Sequence, residues 1–154
     1  MNSGRYPALA GTIAGLFVTL APLAGANPLY DKNCSVCHQA AGAGAPGAFP
    51  KLAGRAGKLA AVPAGRKLLI CAVLYGMSGK LQADEQTILG AMPPLAQLSD
   101  ADIASILTYV SGLEHGSARA FTAAEVAAIR SQAPLTSADV NALARDPELV
   151  QVAP

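Results

Sequence analysis

Apolar positions in this chain recur mostly at helical spacing, and the most regular run lies late in it. Between Ser99 and Gly112, Ile103, Ile106, Leu107 and Val110 fall on one face of a helical repeat. Ser99 can cap that helix, with Asp102 completing the box, and Gly112 can end it by adopting the left-handed conformation. Arg66 to Gly76 is apolar all round, which predicts a buried helix bracketed by Gly65 and Gly76. Leu29 to His38 predicts a short helix anchored by Leu29 and Tyr30. Gln39 to Pro63 is rich in Gly and Pro and predicts a wrapping loop. Around Asp84-Glu85, weak strand character in Lys80 to Ala83 and Thr87 to Leu89 predicts a loop or loose hairpin. Beyond His115 the chain is Ala-rich. A second capping box, Thr122 to Glu125, opens a short helix from Ala123 to Arg130, and Ser137 to Ala144 is a further helical segment. Helices this short are unstable alone, so residues 116–154 must dock on the domain, dock on a partner, or stay disordered.

Composition narrows the picture. The 154 residues suit one domain, and the 52% hydrophobic content is Ala- and Gly-heavy, with 5% aromatic residues and no Trp. Such side chains make a thin core that a large apolar cofactor would complete. Residues 1–26 read as a secretory signal, with Arg5, an apolar run from Ile13 to Leu20, Pro22, and Ala24-Gly25-Ala26 before a cut at Asn27. The competing reading is an uncleaved membrane anchor, because no charge falls between Arg5 and Asp31. Gly11, Gly15, Pro22 and Gly25 weaken a spanning helix and favour cleavage. Either way the rest of the chain is expected on the periplasmic side.

Without Arg5, ten basic residues balance ten acids. Their distribution is uneven: residues 27–80 hold seven basic residues and one acid, residues 81–154 three and nine. No basic run is interleaved with aromatics, so a nucleic-acid interface is not supported. No Ser-His-Asp set, paired-carboxylate site or phosphate loop supports catalysis.

The chemistry concentrates in Cys34-Ser35-Val36-Cys37-His38. Two thiols at this spacing followed at once by an imidazole form a haem-attachment pentapeptide. Each thiol can add to one vinyl group, and His38 then lies under the iron. A redox C-x-x-C pair or half a zinc site is the alternative, but neither needs the His, and His115 and Cys71 have no partner at zinc-ligand spacing. The motif occurs once, so one covalently attached haem c is expected. Haem attachment follows export in bacteria, which agrees with the signal.

The sixth ligand decides between electron transfer and ligand chemistry. Met92, Met77 and His115 compete. Met92 precedes Pro93-Pro94, which keeps it out of the helical region on a stiff segment. Met77 reads more simply as a filler after the buried helix, and His115 as a surface residue, so Met92 is favoured. Cys71, among Leu68, Leu69, Ile70, Val73 and Leu74, reads as a small buried hydrophobe rather than an intermolecular disulfide.

Tyr30 to His38, Gln39 through Gly44, Phe49-Pro50-Lys51-Leu52-Ala53-Gly54 and Gly90-Ala91-Met92-Pro93-Pro94, leading into the helix from Asp100 to Val110, resemble a class I monohaem bacterial cytochrome c. The resemblance covers residues 28–113. It implies an all-α fold of helices and loops around one haem c, with the Pro50 carbonyl against His38 and Leu52 packing on the haem. It also implies a cytochrome c domain over residues 27–115, with residues 116–154 as a helical extension outside the basic fold. Only seven residues, Asn27 to Asn33, precede Cys34 after the expected cut, fewer than in the family's usual N-terminal helix.

Three functions follow. An electron carrier would have its iron saturated by His38 and Met92 and pass single electrons to redox partners such as a dehydrogenase, reductase or oxidase. Lys51, Arg55, Lys58 and Arg66 would then ring the exposed edge and steer an acidic partner, or be solvated loop charge or propionate partners. A dedicated cytochrome subunit would use residues 116–154 to bind a catalytic chain. A ligand-binding sensor or enzyme would need an open sixth position. The membrane is a partner only if residues 1–26 stay attached.

Overall fold

Asn27 caps the first helix: its side chain accepts from the backbone N–H groups of Leu29 and Tyr30, both at 3.0 Å, and Pro28 pre-sets the first turn. The structure, a computed structural model, describes Met1 and residues 27–83, 85–115 and 119–153. The expected signal, Met1 apart, lies outside the described residues. In chain order the elements are α1 (Pro28–Asn33), α2 (Ser35–His38), α3 (Arg55–Ala60), α4 (Pro63–Tyr75), β1 (Met77–Ala83), β2 (Gln86–Met92), α5 (Asp100–Gly112), α6 (Ala123–Arg130), α7 (Ser137–Leu143) and α8 (Pro147–Val152).

The helix expected from Leu29 to His38 is broken at Cys34, whose backbone leaves the helical region between α1 and α2. Short as α1 is, it packs across α5. Tyr30 is fully buried, its ring centroid lies 5.1 Å from that of Tyr109, and Asn27 Nδ2 donates to Ser105 Oγ at 3.2 Å. Around this crossing, Ile70 and Leu74 of α4, Ile103 and Ile106 of α5, and Phe121 and Val126 from beyond α5 form the main core. Each such side chain contributes about 1.5–3 kcal/mol through burial. The α5 helix begins as its sequence predicts, with Ser99 Oγ accepting from the Asp102 N–H, but Gly112 is its last helical residue rather than a left-handed stop, and the chain leaves the helix at extended Leu113.

Two expectations need correction. The Gly- and Pro-rich stretch is not all loop, because Arg55–Ala60 is helical with Ala56, Gly57, Leu59 and Ala60 buried against its neighbours. Nor is the chain all-α. The strands β1 and β2 pair antiparallel from Met77↔Met92 to Ala83↔Gln86. Gly76, at φ +73°, ends α4, and a Cβ there would lie 2.5 Å from the Met92 carbonyl oxygen, so the hairpin base closes on a residue without a side chain.

Residues 119–153 fold back on the domain. The α6 helix packs on α4 and α5, α7 on β1 and α4, and α8 on α3 and α4. Arg130 donates to Asp100 Oδ1 at 2.7 Å and to the carbonyls of Ala96 and Leu98 at 2.8 Å each. A second core forms beneath, from Leu59, Leu68 and Cys71 on one side and Val140 and Leu149 on the other. Cys71 is buried there, which pushes its thiol up and leaves it no route to an intermolecular disulfide.

Candidate functional site

Between the α1–α2 segment and the hairpin lies a cleft. Cys34, Cys37, His38, Pro50 and Met92 line one part of it; Leu52 lines an adjoining part together with Cys34, His38, Pro50 and Met92. Each residue singled out from the sequence as a site residue is therefore brought to one place. The side chain of His115 lies outside the described residues.

The Cys-His wall is built locally. After His38 the chain turns sharply: Gly44 N–H donates to the His38 carbonyl at 2.8 Å, and Leu52 N–H to the Gly42 carbonyl at 2.8 Å. Gly44, at φ +70°, permits this turn, since a Cβ there would lie 2.7 Å from Lys51 N. The returning segment sets the Pro50 carbonyl 3.0 Å from His38 Nδ1. A carbonyl only accepts, so Nδ1 carries the proton and Nε2 keeps its lone pair. Burial pushes the His38 pKa below its ordinary value, which keeps the ring neutral, while the Pro50 carbonyl pulls the other way. Tyr30 Oη donates to the Gln39 carbonyl at 2.6 Å, and burial pushes that phenol up to about 12. Cys34 and Cys37 are free thiols; burial, helped by Cys37, pushes Cys34 up to about 11. Among the described residues no group of three His, Cys, Asp or Glu side chains could hold a metal ion.

The facing wall is one face of the hairpin. Successive strand residues point to opposite sides, so the pairs Met77/Met92, Gly79/Gly90 and Leu81/Ile88 share the face toward the cleft. Two thioethers lie at its base, two aliphatic side chains toward its tip, and a strip without side chains between them. Met77, weighed above as a filler, thus lines the cleft beside Met92. The segment after Met92 is anchored where Leu95 N–H donates to the Val73 carbonyl at 2.8 Å.

A neutral imidazole with a free Nε2, two thiols beside it, a thioether opposite and apolar walls suit a covalently held haem in their donor chemistry. Sequence reasoning missed the Gly79/Gly90 pair, Leu81 and Ile88, because glycine at inward positions breaks the alternation that marks a strand. It also missed Asn141 of α7, which lines the cleft from the far end of the chain.

The basic residues proposed to ring the site are differently placed. Arg66 has 11% side-chain exposure; its guanidinium pairs with Glu125 at 3.0 Å and stacks 3.8 Å from the Phe121 ring centroid. Lys51 pairs with Glu114 at 2.8 Å. Arg55 lines the cleft, and Lys58 is exposed. Part of the charge asymmetry along the chain is thus neutralised internally, basic residues of one half pairing with acids of the other.

Comparison with known proteins points the same way. The profile of the family described as Cytochrome c matches residues 24–114. A cytochrome c-552 from Thermus thermophilus is 38% identical over 106 residues, covering 65% of this chain and 80% of that protein. A second cytochrome c-552, from a further strain of the same species, is 38% identical over 106 residues and is covered over 71% of its length.

Proposed function

Because this chain belongs to the cytochrome c family, we propose that it is a periplasmic electron carrier in which Cys34 and Cys37 hold one haem c and His38 and Met92 hold its iron. Members of the family carry a covalently attached haem c and transfer electrons, so the chain is a haem-based electron-transfer protein rather than an enzyme. Bound haem supplies a reversible one-electron iron couple.

The observation that carries the ligand assignment is the pairing of walls: Nε2 of His38 left free by the Pro50 carbonyl, and Met92 on the facing hairpin. The Pro50 carbonyl fixes the His38 tautomer and raises its basicity as a ligand. With Met92 as the second ligand, the haem would have a raised potential and no open position for an exogenous ligand, as a carrier rather than a ligand-binding sensor requires. Leu81, Ile88 and Leu52 keep water from the site. Val36, 82% exposed beside the cysteines, and Leu89, 78% exposed on the outer face of β2, offer apolar surface for brief encounters with a redox partner such as a dehydrogenase, reductase or oxidase. A dedicated subunit remains the second reading, but residues 119–153 pack on their own domain, which favours a free carrier. Export rests on the pentapeptide and the signal-like residues 1–26.

The test is the visible and near-infrared spectrum of the protein matured in a haem-attaching host. The oxidised protein should show the weak near-infrared band of methionine-to-iron ligation, and Met92→Ala should abolish it. A high-spin wild-type spectrum without that band would replace the carrier reading with the ligand-binding one.

A further inference from the structure

The hairpin facing His38 has only two strands, and such an element is marginally stable unless something packs on it. Its exposed strand edges would present unpaired backbone groups. Along β1 the packing comes from α7, far away in the sequence. Asn141 is 2% exposed, a rare place for an amide inside a helix, where a Leu or Ala would cost nothing in propensity. Its Nδ2 donates to the Ser78 carbonyl at 2.7 Å, across 63 residues of chain. Ser137, one turn earlier in α7, meets Ser78 at 2.8 Å, hydroxyl to hydroxyl. Both contacts converge on the residue between Met77 and Gly79, whose register partner Ala91 immediately precedes Met92. A Cβ on Gly79 would lie 3.2 Å from Asn141 Nδ2, so the helix also sits close to the strip without side chains. The remaining acceptor, Asn141 Oδ1, is buried without a hydrogen-bond partner among the described residues, at the lining of the cleft.

We propose that α7 is part of the haem site and that Asn141 is its positioning residue, clamping β1 through Ser78 so that the hairpin keeps Met92 turned toward the iron. This rests on the reading of Met92 as the sixth ligand. It gives the C-terminal segment a task within the chain: holding the more labile of the two ligands. Loss of the clamp leaves the haem attached and His38 in place, but lets the hairpin open more often and makes the sixth position easier to displace.

The test uses full-length, haem-loaded protein carrying Asn141→Leu, which keeps the branched shape and heavy-atom count and removes the hydrogen bond, and Ser137→Ala as a milder companion. Imidazole competes for the sixth position of the ferric protein. Its affinity should rise about tenfold in Asn141→Leu, the factor one lost hydrogen bond supports, and by roughly half that on a logarithmic scale in Ser137→Ala. The β1 and β2 amides should exchange with solvent faster in both, while α5 amides and far-ultraviolet circular dichroism stay unchanged. If both variants keep wild-type imidazole affinity and hairpin exchange, Asn141 is not a clamp. Should the wild type lack the methionine band, the Met92 assignment fails instead. Hairpin exchange then decides alone: faster exchange upholds the clamp, and unchanged exchange overturns it.

Discussion

His38 is fixed by what lies within a dozen residues of it, a helix, a returning carbonyl and a buried tyrosine, whereas Met92 is carried on a hairpin supported from the distant end of the chain. Contacts close in sequence cost little loop entropy to form. The hairpin depends on packing that is complete only when the C-terminal segment has docked. The ligand-bearing residue of one wall is therefore positioned mainly by local contacts, and that of the other by assembly.

The strongest way to break that difference is at the hairpin base. Gly76→Ala puts a Cβ 2.5 Å from the Met92 carbonyl oxygen at a backbone angle that L side chains rarely adopt. It should cost about 2–4 kcal/mol in urea unfolding and weaken the methionine band, while the haem stays attached beside His38. Next comes Arg66→Ala, which removes a mostly buried cation from Glu125, the Arg119 carbonyl and the Phe121 ring. Its loss should cost about 2–3 kcal/mol and loosen the C-terminal segment first, seen as faster amide exchange in α6 before any change in α1.

Glu125 sharpens the comparison through pH. Burial alone would raise its carboxyl, but hydrogen bonds from Arg119, the Thr122 backbone and Arg66 hold it at about 2, against an ordinary 4.5. A carboxylate held low stabilises the fold fully above its unfolded value and loses that contribution as pH falls through the folded one. Between pH 4.5 and about 2 the wild type should therefore lose stability, and Glu125→Gln should flatten that limb of the urea-midpoint profile. The smallest effect belongs to Lys51→Ala. Its pair with Glu114 is 42% and 52% exposed, so the change should stay under about 1 kcal/mol and fade in high salt.

The locally positioned wall is also the legible one. Cys34, Cys37 and His38 announce themselves through local spacing, and α5 through its cap and apolar face. The hairpin was half visible: Met77, Leu81, Ile88 and Met92 alternate correctly, but Gly79 and Gly90 occupy the inward positions where a strand pattern needs apolar side chains. The α3 helix was hidden by Gly54 and Gly57, which read as loop until burial of Gly57 gives the missing side chain a packing role. Arg66 reads as surface charge because its partner Glu125 is 59 residues away. Asn141 draws no reading from the sequence for the same reason: nothing near it names the strand it touches.

The Met77↔Met92 register carries an engineering consequence. In a strand, facing is a matter of parity: one residue inserted within β2 between Gln86 and Met92 would turn the thioether to solvent, and two would turn it back a step out of place. Residues added beyond the last pair, Ala83↔Gln86, leave the parity of everything nearer the base untouched. A loop, tag or peptide grafted at the hairpin tip would thus leave Met92 facing the cleft, whereas a single-residue change in strand length would turn the proposed ligand away from it.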